Sequence, residues 1–182
     1  MKRTSWLVMS LIATTMGIYL FSAATAAPPA AEHAVKGLNH GVAVLMPTKG
    51  NEVAGTILFE EKDGVVHVTG EVTGLTPGMH GFHIHEFGDL RAADGTGAGG
   101  HYNPEGKPHA GPDHAERHVG DLGNVKADAD GVAKVAKKMV GAKLHFIFGR
   151  SVVVHAGADD LKSQPSGAAG PRVAVGVVGI AK

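Results

Sequence analysis

The alternation of apolar and polar residues along the chain predicts β-strands rather than helices. The clearest case is the run 65–72, where Val66, Val68, Gly70 and Val72 alternate with mostly more polar neighbours. Other runs with strand character occupy 42–46, 56–59, 81–85, 143–148, 151–155 and 173–180. Turn sequences such as 62–64 and 128–131 separate the runs. About eight short strands with regular turns favour an antiparallel barrel or sandwich, and no stretch predicts a convincing amphipathic helix.

Two stretches, 87–117 and 157–170, have no sustained period and are predicted to be loops. The first is too long to be a passive connection in a compact domain, so it needs a function or an organising ligand. It contains a GxGxxG match at 95–100, but that motif requires a preceding strand and a following helix. His101-Tyr102-Asn103-Pro104 follows instead, so we interpret the glycines as part of the loop.

The first 26 residues predict an export signal. Two basic residues are followed by a mostly apolar run, 6–21, and then by small residues at 22–26, with cleavage expected after Ala26 or Ala27. The alternative is an uncleaved membrane anchor. After cleavage we expect no stable membrane association and a periplasmic or secreted protein. Residues 27–40 are interpreted as a lead-in and 41–182 as one domain.

Composition narrows the chemistry. The formal net charge is zero, so no basic excess favours a nucleic-acid partner. The chain has no cysteine, which excludes disulfides, thiolate redox motifs and cysteine metal sites. Any metal must bind to histidine and carboxylate, and this set favours zinc, copper or iron.

Seven of the twelve histidines lie between His80 and His118. As a strand, 81–85 places His83 and His85 on one face and Phe82 and Ile84 on the other. Further candidate metal ligands are His101, His109, His118 and Asp121 in and after the long loop, and His155 at the end of an apolar strand. The pattern predicts a metal site. The alternative is a histidine-rich surface that binds metal only adventitiously.

Six motifs in order and near the expected spacing resemble the copper/zinc superoxide dismutase family. They are GFHIHEFGD (81–89), GHYNP (100–104), PHAGP (108–112), ERHVGDLGN (116–124), VVVHAGADDL (152–161) and GPRVAVGVVGIA (170–181). The resemblance covers 41–182. It implies an all-β fold, namely an eight-stranded antiparallel Greek-key β-barrel of immunoglobulin-like sandwich type, with two long functional loops.

The resemblance also implies roles for single residues. His83, His85 and His155 match copper ligands, and His101 matches the imidazolate that bridges copper and zinc. The remaining zinc ligands correspond to His109, His118 and Asp121. Asp159 matches a carboxylate that links a copper histidine to a zinc histidine, and Arg172 matches an arginine that orients the anion. Without the motif, Arg172 would be interpreted as a loop arginine that caps carbonyls.

The other histidines have no matching role. His80 is expected to be a structural hydrogen-bonding residue. The remainder are expected to be solvated: His33, His40, His67, His114 and His145.

The activity implied by the resemblance is superoxide dismutation. Cu(II) would take an electron from one superoxide and release O₂, and Cu(I) would return it to a second superoxide, which leaves as H₂O₂. His101 would store a proton in the reduced state, and zinc would hold its imidazole. The alternatives are a metal-sequestering protein and a relative with an inactive site, and both are disfavoured by Arg172 and the complete ligand set.

The chain departs from the family at the disulfide. The two cysteine positions correspond to Asp94 or Gly95 and to Val175. Closing a loop of about 80 residues is worth on the order of 4 kcal/mol in the entropic model. We therefore predict a stable metal-bound form, a loose metal-free form and indifference to reductants.

The second loop is short, and Lys162 is its one base between His155 and Arg172, so steering of the anion is expected to be weaker. The resemblance also suggests a homodimer through an apolar patch of Phe148, Val178 and Ile180.

Overall fold

The computed structural model describes residues 38–182. The predicted export signal and most of the lead-in lie outside this range. Nine strands are described: β1 (His40–Pro47), β2 (Ala54–Lys62), β3 (Val65–Thr73), β4 (Gly78–His85), β5 (Asp121–Ala127), β6 (Ala133–Val140), β7 (Ser151–His155), β8 (Arg172–Val177) and β9 (Gly179–Ile180). Two short 3-10 helices occupy Thr96–Ala98 and Leu144–Phe146. Within this described part, the chain has no helix whose length and apolar character would let it cross a membrane.

Eight of the strands close into an antiparallel barrel. The order is β2-β3-β6-β5-β4-β7-β8-β1, and β1 also pairs with β2, which completes the circuit. β9 adds to β1 alone. Because β3 neighbours β6 and β4 neighbours β7, the chain crosses between non-consecutive strands in Greek-key fashion. The predicted fold class is confirmed.

Alternation along the strands fills the barrel. In β3, Val66, Val68 and Val72 are fully buried in one core cluster. In β1 Ala43 and Leu45 face inward and are buried, whereas Val44 and Met46 are more than half exposed. The pattern at 42–46 therefore identified a strand, while the register with β2 decides which face is buried.

One predicted strand is wrong. Residues 143–148 form a 3-10 helix at Leu144–Phe146 instead. Leu144 and Ile147 are fully buried, whereas Phe146 is 58% exposed. A spacing of three between buried residues matches a 3-10 turn. The Leu144 backbone N–H donates to a Glu61 carboxylate oxygen at 2.8 Å. This contact satisfies an N–H group at the start of the helix, which has no acceptor within the helix itself.

The predicted final strand, 173–180, is interrupted. β8 ends at Val177 and β9 begins at Gly179, and Val178 between them is only 1% exposed. Its N–H donates to the Arg150 carbonyl at 2.9 Å. Since Val178 packs in the core, it cannot belong to an exposed dimer patch, and that part of the prediction is corrected.

β4 positions the candidate site. Phe82 and Ile84 point into the barrel core, and His83 and His85 point out beneath the long loop, as the alternation predicted. The loop is fastened along the same strand, because the Tyr102 N–H donates to the Ile84 carbonyl at 2.8 Å. A Cβ on Gly120 would lie 2.2 Å from that carbonyl oxygen, so only glycine permits this approach.

Candidate metal centre

Two groups of buried polar side chains share one histidine. The first contains His83, His85, His101 and His155, and the second contains His101, His109, His118 and Asp121. In each group, one nitrogen or oxygen atom per residue lies within 4.8 Å of all the others. The structure thus brings together all seven residues that the sequence singled out as ligands.

The first group is built on paired strands. His83 and His85 lie on β4, and His155 ends β7 next to it in the sheet. His85 Nδ1 lies 3.0 Å from the Gly99 carbonyl, and His155 Nδ1 lies 2.9 Å from the Gly170 carbonyl. A carbonyl can only accept, so Nδ1 carries the proton and Nε2 is left with its lone pair. The two Nε2 atoms are 3.4 Å apart.

The second group converges on one carboxylate oxygen. Nδ1 atoms of three histidines lie near Asp121 Oδ1: His101 at 2.7 Å, His109 at 3.0 Å and His118 at 3.1 Å. The other oxygen of Asp121 accepts the backbone N–H of His118 at 3.0 Å. These contacts fix the carboxylate at the end of β5 and gather the loop histidines around it.

Three ring nitrogens have no hydrogen-bond partner among the described residues, namely His83 Nδ1, His101 Nε2 and His109 Nδ1. His109 Nδ1 is 3.0 Å from Asp121 Oδ1 but is not aligned for a hydrogen bond. Orphaned polar atoms in a buried site are costly unless a ligand satisfies them. Histidine nitrogens with one carboxylate are donors that suit zinc and copper, so the residues fit metal ions at both centres.

Asp159 joins the two groups. Its Oδ2 lies 2.8 Å from His83 Nε2, and its Oδ1 lies 3.0 Å from His109 Nε2. Both histidines therefore turn their Nδ1 atoms towards the centres. Gly167 makes room for this arrangement, because a Cβ there would lie 1.8 Å from Asp159 Oδ1.

The local environment sets protonation states that suit metal binding. Burial lowers the pKa of His83 to about 4 and that of His155 to about 3, and it lowers the pKa of His85 well below its usual range. Burial acts to raise the pKa of Asp121, but hydrogen bonds from His101 and Ala110 outweigh it and hold that pKa at about 2. Neutral imidazoles beside an ionised carboxylate are the forms that bind metals.

A cavity of about 550 Å³ opens onto the first group. His85, His101 and His155 line it, together with Arg172. Two carbonyls of the long loop, Gly95 and Gly99, accept hydrogen bonds from the Arg172 guanidinium. Burial lowers the pKa of Arg172, but a guanidinium has so high a pKa that it stays charged at neutral pH.

The predicted structural histidine, His80, is buried. Its ring nitrogens lie 2.8 Å from the Thr76 and His155 carbonyls, so it braces the end of β7. Away from the site, His40, His114 and His145 are exposed and His67 is partly buried. His33 lies outside the described residues.

Sequence reasoning gave no role to Asn124, although it ends the ERHVGDLGN motif. Its side-chain amide accepts the Asp159 N–H at 2.7 Å and donates to the Asp159 carbonyl at 2.9 Å. Its place in the motif was the available signal. Gln164 was also missed, and no motif contained it.

Comparisons with known proteins agree with this geometry. The family model described as copper/zinc superoxide dismutase (SODC) matches residues 53–178. An extracellular superoxide dismutase [Cu-Zn] of Onchocerca volvulus is 45% identical over 159 residues, which cover 80% of this chain and 78% of the relative. Superoxide dismutase [Cu-Zn] 2 of Mesembryanthemum crystallinum is 47% identical over 149 residues, covering 76% of this chain and 94% of the relative. The chain belongs to the copper/zinc superoxide dismutase family, and its activity is the dismutation of superoxide with copper and zinc as cofactors.

Proposed function

We propose that the two groups divide the metals between them. The all-histidine group, His83, His85, His101 and His155, binds copper. The group with a carboxylate binds zinc through His101, His109, His118 and Asp121. The observation that carries this assignment is that two buried groups share His101 and differ in donors, one having four histidines and the other three histidines and a carboxylate, with unpaired ring nitrogens in both.

Copper supplies the one-electron redox step and zinc supplies a fixed positive charge. His101 has Nδ1 against Asp121 and an unpaired Nε2 towards the first group. We assign to Nε2 the uptake and return of one proton during turnover. In this role the second group, which includes both His101 and Asp121, would hold the ring in place, so the proton moves without reorientation of the imidazole.

Arg172 binds and orients the substrate. Its charge borders the cavity beside His85 and His155, and Glu86 is the acidic side chain among the residues described as lining that cavity. The Glu86 carboxylate accepts the Gly100 N–H at 3.0 Å, which directs part of its charge to the loop backbone. A fixed guanidinium at the mouth favours a small anion such as superoxide.

Three proteins loaded with copper and zinc test these roles: the unaltered chain, His85→Ala and Arg172→Ala. We expect the dismutase activity of His85→Ala to fall to the level of the copper-free protein. Arg172→Ala should keep both metals and lose at least about ten-fold in activity, because one oriented charge is removed. Two bound metals with equal activity in all three proteins would overturn the assignment.

We also propose export of the protein. The supporting observations are the basic, apolar and small-residue order of 1–26 and the extracellular relative from Onchocerca volvulus. Periplasmic or secreted delivery follows from this pattern. Fractionation of expressing cells, with the mass of the mature N-terminus, tests cleavage after Ala26 or Ala27 against retention as an anchor.

We further propose a homodimer through a revised patch. Ile180 is 61% exposed, and Phe148 is partly buried. Phe148 packs near Gly41, which pairs with Ile180 in the β1–β9 ladder. Exposed apolar residues grouped in this way mark association surfaces. Ile180→Lys should shift the sedimentation coefficient to that of a monomer, and an unchanged dimer would overturn this patch.

A further inference from the structure

Gln164 holds the backbone of a candidate zinc ligand from the opposite loop. Its Oε1 accepts the His109 N–H at 2.8 Å, and its Nε2 donates to the His109 carbonyl at 2.8 Å. The same Nε2 lies 3.1 Å from the Lys162 carbonyl, which ties the amide to its own loop. One side chain thus satisfies both backbone groups of a residue 55 positions away.

The arrangement repeats a contact found on the other side of the site. The side-chain amide of Asn124 hydrogen-bonds both the N–H and the carbonyl of Asp159 in the same way. Asp159 and His109 are themselves joined by a 3.0 Å contact between Oδ1 and Nε2. Both partners of this central contact are therefore fixed at the backbone by a side-chain amide.

Gln164 also stands next to the cavity wall. Pro165 and Ser166, which follow it directly, line the cavity that contains Arg172. Gly167 then approaches Asp159, and its N–H donates to the Ser163 carbonyl at 2.7 Å. A displacement of Gln164 would move this wall together with the backbone of His109.

We propose that Gln164 is a positioning residue that fixes His109 for zinc and couples zinc binding to the wall of the substrate cavity. The proposal rests on the assignment of His109 as a zinc ligand. The backbone of His109 lies in the long loop, outside any strand ladder, so Gln164 replaces the hydrogen bonds that a strand would supply. The side-chain amide carries both the donor and the acceptor that this requires.

The test is zinc affinity, measured by chelator competition on copper-free protein. Gln164→Met keeps the length and removes both hydrogen-bonding functions. We expect zinc to bind on the order of ten-fold more weakly, as for other residues that orient a ligand from behind. Copper affinity at the first group should stay within about two-fold, because that group is built largely on strands. Co²⁺ in place of zinc should show a changed visible spectrum, which reports ligand geometry.

Asn51→Ala is the matched control. Its amide also bonds locally, to Thr48 Oγ1 at 2.9 Å, and it lies on a loop outside the site. This variant should keep wild-type zinc affinity. Unchanged zinc affinity and Co²⁺ spectrum in Gln164→Met would overturn the proposal, as would an equal loss in Asn51→Ala.

His109→Ala separates the two hypotheses. If it loses zinc while Gln164→Met does not, the ligand assignment stands and the positioning role fails. If His109→Ala retains zinc, the assignment itself fails.

For the coupling, Gln164→Met should raise KM for superoxide more than it lowers kcat, because the wall moves while the copper ligands do not. A change in kcat alone would contradict the coupling.

Discussion

The two halves of the metal centre differ in what holds them before any metal binds. Three of the four residues of the first group lie on β4 and β7, which are paired to each other and to further strands. In the second group, His109 and His118 come from the long loop, and only Asp121 lies on a strand. The first half is therefore largely preformed by the barrel, whereas the second depends on loop contacts, both among its own members and with Asp159 and Gln164.

The difference also concerns charge and access. The first group offers four imidazoles, three of which line the cavity, whereas the second contains a fully buried carboxylate and reaches the cavity only through His101 and His118. A neutral, accessible set suits a metal that must meet a substrate, and a set with one buried negative charge suits a structural ion. We infer that the strands make the first group rigid and accessible to substrate, whereas the order of the loop that carries the second group depends on bound metal.

The largest expected effect comes from removing one metal at a time. Selective removal of zinc should expose the amides of Ala110 and His118, whose N–H groups donate to Asp121. Their opening free energy should fall by about 4 kcal/mol relative to zinc at 1,000 times its Kd. Hydrogen exchange measures this amide by amide.

Removal of copper alone is the matching control. It should leave those loop amides protected, because the strands that carry the first group do not need the metal to form. The Tyr102 amide, bonded to Ile84 in β4, should stay protected in both cases. Equal loss of loop protection on removing either metal would contradict the proposed division between the two halves.

The second test disturbs the contact between Asp159 and His109 by a substitution at Gly167. A Cβ in Gly167→Ala would overlap Asp159 Oδ1 and lie 2.7 Å from His109 Nε2, in a backbone with φ of +70°. Backbone strain costs about 1–2 kcal/mol and overpacking about 1–3 kcal/mol, so we expect a loss of about 3 kcal/mol. Denaturant unfolding of the metal-free protein measures this loss.

Gly141→Ala is the control for strain alone, because Gly141 lies away from both groups. Its φ is +78°, and nothing lies within 4 Å of the added Cβ. We expect a loss of about 1 kcal/mol, with metal content unchanged. If the two variants were equally destabilised, the contact between Asp159 and His109 would not be sensitive to the space at residue 167.

Much of this centre was predictable from sequence, because alternation and motif spacing act over short distances. His83 and His85 needed only the strand period, and the motifs supplied the remaining candidate ligands by resemblance. The strand predicted at 143–148 failed because six residues do not distinguish a period of two from one of three. The roles of Asn124 and Gln164 depend on loop paths that bring together residues 35 and 55 positions apart, and no local pattern encodes those paths.

In the metal-free protein, the two groups should lose their contributions to stability over different ranges of pH. Burial holds the pKa of His83 near 4 and that of His155 near 3, below the value of about 6.5 in an unfolded chain. The unfolded state then binds more protons, so stability is present above about pH 6.5 and is lost as pH falls towards 3. Asp121, with a pKa of about 2, adds a loss that begins only below about pH 4.

Urea unfolding of the metal-free protein at pH 7, 5.5 and 4.5 measures the first phase. We expect the free energy of unfolding to decline at each step, since the histidines of the first group must be protonated when the chain unfolds. A flat profile across this range would mean that His83 and His155 are not kept neutral by burial. In that case the first group would be less enclosed by the strands than we infer.

The smallest expected effect is that of a reductant on thermal stability, where we expect no change, and it concerns how the long loop is held to the strands. The chain has no cysteine, and at the position that corresponds to the family's disulfide a Cβ on Gly95 would meet the Val175 side chain at 2.7 Å. Val175 is instead buried with Ala98 and Val153 in a small apolar cluster, and Arg172 binds the loop carbonyls. A phosphine reductant at metal-retaining conditions should therefore leave the Tm of the metal-bound protein unchanged. A lowered Tm with both metals still bound would mean that stability depends on the oxidation state of the copper, and that this packing does not by itself secure the loop over the strands.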